Sequence, residues 1–177
     1  MALRKVIVKG DPLLSRKSRE INEVTGRIRM LAEDMWDTMY EANGVGLAAP
    51  QVGVLRRIAV IDVTEPPEDE DEEQSGSAEQ KPEPEVLKYV LINPEIIEVS
   101  EEKVKTKEGC LSVPGLVGMV ERPARVKVRA MDLNGQYFEV EGEGMLAKAL
   151  LHEIDHLEGV LYTDIAEEIE DVEDPGE

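Results

Sequence analysis

The sequence predicts an α+β fold. Segments with the composition of β-strands lie before and after one amphipathic helix, and a second helical segment near the end is apolar on most of its circumference. A helix of this second kind is buried on several sides, so it belongs at the centre of the fold rather than on its surface. The chain has 177 residues, which is long enough for one domain with a sizeable core.

Both helices are predicted from periodicity and stop signals. Apolar residues recur at three- and four-residue steps over 25–42, and Asn43-Gly44 then ends this first helix. The second helix is predicted over 143–158 with Gly159 as its stop signal, and its apolar residues form two adjacent stripes. This second helix carries the most informative residues of the chain.

The strands are predicted from β-branched and apolar runs that end at turn residues. Asn134-Gly135 predicts a tight hairpin turn, and Asn93-Pro94 predicts the end of a strand. Strands are predicted over 4–9, 57–63, 88–92, 96–99, 125–132 and 137–141.

Most of the net charge of −19 lies in two segments. Residues 65–85 contain ten acidic residues and one lysine, and residues 167–177 contain seven acidic residues and no basic one. We therefore expect one catalytic domain over 1–166 with an acidic loop inserted at about 65–85, which joins two strands, and a solvated acidic tail over 167–177. Nucleic-acid binding is disfavoured because the chain has no clustered basic surface.

Composition also bears on the cellular compartment. The chain has a single cysteine, Cys110, which excludes an internal disulfide framework and fits a reducing compartment. No apolar run is long enough to cross a membrane, and Gly10-Asp11-Pro12 interrupts the short apolar start. We therefore expect a cytoplasmic protein that does not bind membranes.

The two histidines of the chain lie in the motif His-Glu-x-x-His. His152 and His156 are four residues apart, so on a helix they lie on the same face and can bind one metal ion. Glu153 between them can act on a water at that metal. The competing interpretation is a pair of ordinary core histidines, each of which would then need a hydrogen-bond partner.

The third ligand is not settled by the motif. A metalloprotease of the extended type has a third histidine ten residues after the first, but Tyr162 occupies that position. The remaining ligand is a carboxylate such as Glu167 or Glu168, or the thiolate of Cys110. A free cysteine is often only a small buried apolar group, so chemistry alone leaves both options open.

A glycine-bounded segment over 44–51 is small and apolar and ends in the amide of Gln51. It is either a plain loop after the first helix or a wall along which an extended peptide can form backbone hydrogen bonds.

Three segments together resemble the signature motifs of the peptide deformylases, in the same order. They are 44–51, 108–112 and 152–156, and the similarity extends from Leu3 to about Asp164, interrupted by the acidic insertion. The resemblance implies antiparallel sheets around a central helix that carries the two histidines. It also implies hydrolysis of the formyl group from the N-terminal formylmethionine of newly synthesised proteins, near the ribosome.

The resemblance also implies a role for individual residues. Cys110, His152 and His156 would bind one divalent metal, Fe(II) in the native protein, with Zn, Ni or Co able to replace it. Glu153 would be the general base and acid, while the Gln51 amide and the Leu111 N–H would stabilise the oxyanion. The residues implied to hold the formylmethionyl peptide are Gly44, Val45, Gly46, Met145 and Ala149.

Two alternatives to a deformylase are carried forward. One is a zinc metalloprotease that uses a downstream carboxylate as third ligand. The other is a catalytically silent relative that binds peptides, although a pure binder needs neither Glu153 nor Gln51.

Overall fold

The computed structural model describes residues 2–64 and 85–172. The predicted acidic insertion, except for Glu85, and residues 173–177 of the predicted tail lie outside this description. The helices are α1 (Gly26–Glu41), α2 (Gly144–Leu157) and α3 (Tyr162–Ile165). The strands are β1 (Gly46–Ala48), β2 (Ile58–Asp62), β3 (Lys88–Val99), β4 (Lys103–Cys110), β5 (Val113–Pro123), β6 (Arg125–Met131), β7 (Tyr137–Glu143) and β8 (Glu168–Asp171).

The strands form two antiparallel sheets. The larger has the order β1-β2-β3-β6-β7, and the smaller has the order β4-β5-β8. Helix α2 packs against β7, β1, β2 and β6 of the larger sheet and also contacts β5 of the smaller one. The predicted α+β fold, with antiparallel sheets around a central helix, is therefore confirmed.

The larger sheet is covered on both faces in its middle, and alternation along β2 explains how. Ile58 and Val60 belong to the apolar cluster under α1, whereas Ile61 belongs to the cluster under α2. Successive side chains of a strand point to opposite faces, so a strand buried on both sides is apolar throughout. The predicted apolar stripe of α1 is buried in the cluster under that helix, and Leu146, Leu150 and Ile154 of α2 are buried in the other cluster. Met145, which was predicted to belong to the second stripe of α2, is instead 51% exposed.

Helix α1 begins and ends as its sequence predicts. The hydroxyl of Thr25 caps it by accepting a hydrogen bond from the Ile28 N–H at 3.4 Å. Asn43, just after the helix, has φ of 56°, a left-handed conformation that asparagine tolerates and that turns the chain into β1. The end of α1 thus delivers the segment 44–51 to the neighbourhood of α2.

Three strand predictions require correction. Residues 4–9 do not form a regular strand, because their backbone bonds to two separate loops rather than to one partner strand. The strands predicted over 88–92 and 96–99 are one strand, β3, with a register shift between Ile92 and Glu95. The side chain of Asn93 stabilises this irregularity, since it accepts from the Ile21 N–H at 2.8 Å and donates to the Ile21 carbonyl at 2.7 Å.

The smaller sheet contains strands that were not predicted. Strand β4 alternates lysine with other residues and carries Cys110 at its end, and β5 pairs along most of its length. Strand β8 lies in the segment predicted as an acidic tail and pairs with β5, with all four of its residues exposed. In residues 2–64 and 85–172, no helix has the length and apolar character that crossing a membrane requires.

Candidate active site

Three elements bring the predicted site residues to one place. Helix α2 carries His152, Glu153 and His156, and β4 ends at Cys110 beside them. A 3-10 turn, Ala49–Val52, follows β1 and carries Gln51. Gln51 contacts Cys110 across 59 positions of sequence, and Cys110 contacts His156 across 46 positions. The site therefore depends on the packing of both sheets around α2.

Cys110, His152 and His156 form a compact group of metal-binding side chains. One ligand atom from each residue lies within 4.8 Å of the others. Nε2 of His156 is 3.2 Å from Nε2 of His152 and 3.3 Å from Sγ of Cys110. One thiolate and two imidazoles are a donor set typical of a catalytic metal that keeps one position open for water or substrate. The three side chains thus fit a single divalent metal ion.

The far side of His152 is held by an acidic side chain on β4. Nδ1 of His152 lies 2.8 Å from Oε1 of Glu108, which leaves Nε2 directed at the other two ligand atoms. Glu108 also accepts hydrogen bonds from Nε and Nη2 of Arg122 at 2.8 and 2.9 Å, and Nη1 of Arg122 donates to Asp155 at 2.6 Å. A carboxylate behind a metal-binding histidine fixes its tautomer and its orientation.

The electrostatics of this network favour ionised Glu108. Burial alone would raise the pKa of Glu108, but hydrogen bonds from Arg122 and His152 and their positive charges lower it to about 2. Burial lowers the pKa of His156 well below its ordinary value, and the charge on His152 lowers it further. A neutral His156 is the form that binds a metal.

Glu153 is almost completely buried, with 4% of its surface exposed. Burial raises the pKa of its carboxyl to about 7; the positive charge of His152 opposes the shift, and the carboxylates of Glu108 and Asp155 add to it. Within the described residues, its Oε2 has no hydrogen-bond partner. A carboxyl with a pKa near neutrality and a free oxygen can both accept and donate a proton at the pH of a cell.

Gln51 is oriented through both ends of its amide. Its Oε1 accepts a hydrogen bond from the Ala48 N–H at 2.9 Å, so its Nε2 is the group that faces β4. Nε2 lies 3.0 Å from Oγ of Ser112 and 3.4 Å from Sγ of Cys110. A fixed amide donor next to a metal site can stabilise negative charge on a reacting oxygen.

A groove of about 360 Å³ opens over these residues. It is lined by all five residues predicted to hold the peptide and by Leu111. Cys110, His152, Glu153 and Gln51 also line it, whereas His156 does not. Asn43, Glu108 and Gly109 also line it and were not among the predicted site residues. Lys148 lines it as well, one turn before His152 on α2, where helical spacing predicts a residue at the rim of the pocket. The residues predicted to hold the peptide are Gly44, Val45, Gly46, Met145 and Ala149.

The residues behind the ligands were not predicted from the sequence. Asp155 lies inside the His-Glu-x-x-His motif, and Glu108 lies in the segment around Cys110, so both were near a signal. Arg122 follows Glu108 by 14 positions on the next strand and has no such signal. Its position follows from the pairing of β4 with β5.

Comparison with known proteins agrees with this geometry. The family described as "Polypeptide deformylase" matches residues 3–172. The chain belongs to the peptide deformylase family. The peptide deformylase of Agathobacter rectalis is 50% identical over 167 residues, which are 94% of this chain and 92% of that protein. The peptide deformylase of Natranaerobius thermophilus is 44% identical, over 96% of each chain.

Solved structures give the same result. The crystal structure of the peptide deformylase from Thermotoga maritima superimposes with a TM-score of 0.79 at 35% identity, covering 95% of this chain and 100% of that one. The Ehrlichia chaffeensis peptide deformylase has a TM-score of 0.79 at 40% identity, covering 94% of this chain and 89% of that one. The chain is therefore a metal-dependent hydrolase that removes the formyl group from the N-terminal methionine of newly synthesised proteins.

Proposed function

We propose that Cys110, His152 and His156 hold the divalent metal of this deformylase and that Glu153 transfers the proton. The observation that carries the proposal is the group of three ligand atoms within 4.8 Å of one another, with the buried carboxyl of Glu153 next in sequence to His152. A divalent metal bound there supplies a Lewis acid that lowers the pKa of a water molecule towards neutrality.

Glu153 acts first as a base and then as an acid. It takes one proton from the attacking water, whose oxygen forms a bond to the formyl carbon. It then gives that proton to the nitrogen of the methionine as the carbon–nitrogen bond breaks, which releases a free amino terminus and formic acid, and the acid loses its proton to solvent to become formate. Its pKa of about 7 suits both directions of transfer.

Gln51 and Leu111 stabilise the oxyanion that forms on the formyl oxygen. The Gln51 amide is already oriented by the Ala48 N–H, so no reorganisation is needed when charge develops. The backbone N–H of Leu111, between Cys110 and Ser112, supplies the second donor. Each such donor is commonly worth about 3 kcal/mol in acyl-transfer enzymes.

The groove holds the formylmethionyl peptide. The backbone of Gly46 helps to hold the extended peptide through hydrogen bonds, and Gly44 and Val45 border the groove beside it. The side chains of Val45, Met145 and Ala149 are the apolar wall for the methionine side chain, and all three line the groove.

Fe(II) is the proposed native metal, with Zn, Ni or Co as substitutes. A thiolate with two imidazoles is compatible with each of these ions. The iron-loaded enzyme should lose activity in air, because Cys110 and Fe(II) are both oxidisable. Iron-loaded enzyme that kept its activity in air would contradict this assignment.

We also propose the cellular setting and the domain organisation. The enzyme acts in the cytoplasm, close to the ribosome, where formylated chains emerge. Residues 1–166 form the catalytic domain, and the insertion at about 65–85 is not needed for the reaction. Residues 167–177 are an acidic appendage, of which 168–171 pair with β5 as strand β8.

The zinc protease alternative has less support. Glu167 forms an ion pair with Lys105 at 2.9 Å, and Glu168 is exposed on β8, so neither joins the histidines. Cys110 is the third member of the group that can hold a metal.

The test is release of formate from a formyl-Met peptide, measured with metal content under anaerobic conditions. Cys110→Ser should lose most of its metal and its activity. The Glu167→Gln and Glu168→Gln variants are matched controls and should keep both. The reverse pattern would favour the protease alternative and overturn the proposal.

A further inference from the structure

Residues 2–9, here called the N-terminal strap, cross from α1 to the turns that carry Gln51 and Ser112. The segment is tied at its beginning to α1 and near its end to these two turns. Within the described residues, none of its side chains lines the groove. The strap therefore contacts the site from behind the groove, through the backbone of Gln51 and Ser112.

Asp34 on α1 clamps the beginning of the strap. Its Oδ1 accepts from the Ala2 N–H at 3.0 Å, and its Oδ2 accepts from Nε of Arg4 at 3.0 Å and lies 3.0 Å from Nη2 of Arg4. The Arg4 N–H donates to Oγ1 of Thr38 at 2.9 Å. With the strap in place Asp34 is 7% exposed, and the strap residues supply hydrogen bonds to both oxygens of its carboxylate.

The end of the strap joins two turns that β-pairing does not join. The Ile7 N–H donates to the Gln51 carbonyl at 2.8 Å, and the Lys9 N–H donates to the Ser112 carbonyl at 2.7 Å. Alternate residues of an extended segment face the same edge, so 7 and 9 can bond side by side. Val6, which lies between the residues bound to Asp34 and these two bonds, packs against the apolar cluster under α1.

The two turns meet again through their side chains, next to the thiolate. Nε2 of Gln51 lies 3.0 Å from Oγ of Ser112 and 3.4 Å from Sγ of Cys110. The Ser112 N–H is also 3.4 Å from Sγ of Cys110. The strap thus fixes the backbone of the residues whose side chain and N–H surround the sulfur.

We propose that Asp34 is a positioning residue of this deformylase, which acts through the strap to hold Gln51 and Cys110 at their working distance. The inference rests on the proposed roles of Gln51 and Cys110. An ion pair with an arginine that is 35% exposed adds little to global stability. A small displacement of a donor or a ligand costs far more in turnover than in stability.

The test compares Asp34→Ala, Asp34→Asn, Arg4→Ala and the double variant Arg4→Ala/Asp34→Ala. Asp34→Ala should lower kcat about tenfold while KM stays within about twofold, because the groove itself is intact. Asp34→Asn keeps an acceptor for Ala2 but loses the charge, so its loss should be smaller. The double variant should be no worse than Asp34→Ala, since both changes release the same strap.

A second readout needs neither metal nor turnover. Cys110 is the single cysteine of the chain, so alkylation of the metal-free protein by iodoacetamide reports on this thiol alone. Release of the strap should raise the alkylation rate of Cys110 several-fold. The variants with the larger loss of kcat should show the larger increase in this rate. Arg4→Lys keeps a charge partner for Asp34 and should restore part of both signals.

Val128→Ala is the control for general destabilisation. Val128 is fully buried in the cluster under α2, whereas Val6 of the strap packs against the other cluster. If Asp34→Ala and Arg4→Ala match Val128→Ala in kcat and alkylation rate, the inference is overturned. Gln51→Ala distinguishes a failure of the proposed function from a failure of this inference. Full turnover in Gln51→Ala would overturn the proposed function. Loss of turnover in Gln51→Ala, together with normal turnover in the Asp34 and Arg4 variants, would overturn only the positioning role of Asp34.

Discussion

A β-carbon added to Gly46 would lie 2.5 Å from Oε1 of Glu153 and 2.9 Å from its carboxyl carbon. Real side chains do not approach so closely, so β1 and α2 can meet here only because residue 46 is glycine. The contact places the backbone of the proposed peptide-binding segment directly against the proposed general base. It also makes the position of the Glu153 carboxyl sensitive to a single methyl group.

Gly46→Ala should therefore lower kcat by about a hundredfold, because the carboxylate must move from its place beside the metal ligands. Metal content should be unchanged, since the three ligands are not touched. The measurement is steady-state deformylation together with metal analysis of the purified variant.

Gly44→Ala is the matched control for this prediction. A β-carbon at Gly44 would meet Cδ1 of Leu111 at 2.9 Å, which is the end of a flexible side chain and can turn away. Its effect on kcat should be at least several-fold smaller than that of Gly46→Ala. Equal losses in the two variants would show that the position of Glu153 is not what the glycine protects.

The network behind His152 predicts a second result. Arg122 and Glu108 have 7% and 1% of their side chains exposed, so removal of either leaves a buried charge. Arg122→Met should lower the free energy of unfolding by about 3–5 kcal/mol. Because Glu108 then loses its partner, metal affinity should also fall about 10- to 100-fold. Arg122→Lys keeps the positive charge without the two-pronged contact to Glu108. Its free energy of unfolding and its metal affinity should therefore lie between those of wild type and Arg122→Met.

The low pKa of Glu108 predicts a pH dependence of stability. Its pKa is about 2 in the folded protein against an ordinary value of 4.5, so it stabilises the fold fully above 4.5. This contribution is lost as the pH falls from 4.5 towards 2. Urea unfolding of the metal-free protein should therefore show the difference between wild type and Glu108→Gln shrinking over this window. A difference that stayed constant down to the lowest pH would contradict the assigned ionisation.

Much of the site could be predicted because its residues lie in short segments with their own signals. His152, Glu153 and His156 lie within one helix whose apolar stripes are evident from the sequence. The order of three such segments then identified the family. The contacts between them depend on sheet pairing, which leaves no local trace.

The errors in the predicted strands have the same origin, namely contacts between residues far apart in the sequence. Asn93-Pro94 is a local stop signal, but the backbone of Ile21, 72 residues away, bonds the Asn93 side chain and lets β3 continue. Strand β4 contains lysines at alternate positions and therefore lacks the apolar alternation that predicts a strand. Arg122 illustrates the limit: its partner Glu108 is identified only by the pairing of β4 with β5.

The acidic insertion provides the last prediction. The strands on either side of it, β2 and β3, pair directly at Asp62 and Lys88, and the Val63 N–H donates to the Leu87 carbonyl at 2.9 Å. The Leu87 N–H in turn donates to Oγ1 of Thr64 at 2.9 Å, so the two chain ends are already held together.

Removing residues 65–84 and joining Thr64 to Glu85 would leave a short hairpin connection of ordinary length. We expect kcat and KM within about twofold of wild type, because in the part of the chain that the structure describes none of the groove residues lies in β2 or β3. The midpoint of thermal unfolding should not fall, since the shorter loop costs less entropy to close. A large loss of turnover with an unchanged melting temperature would show that the insertion takes part in substrate binding.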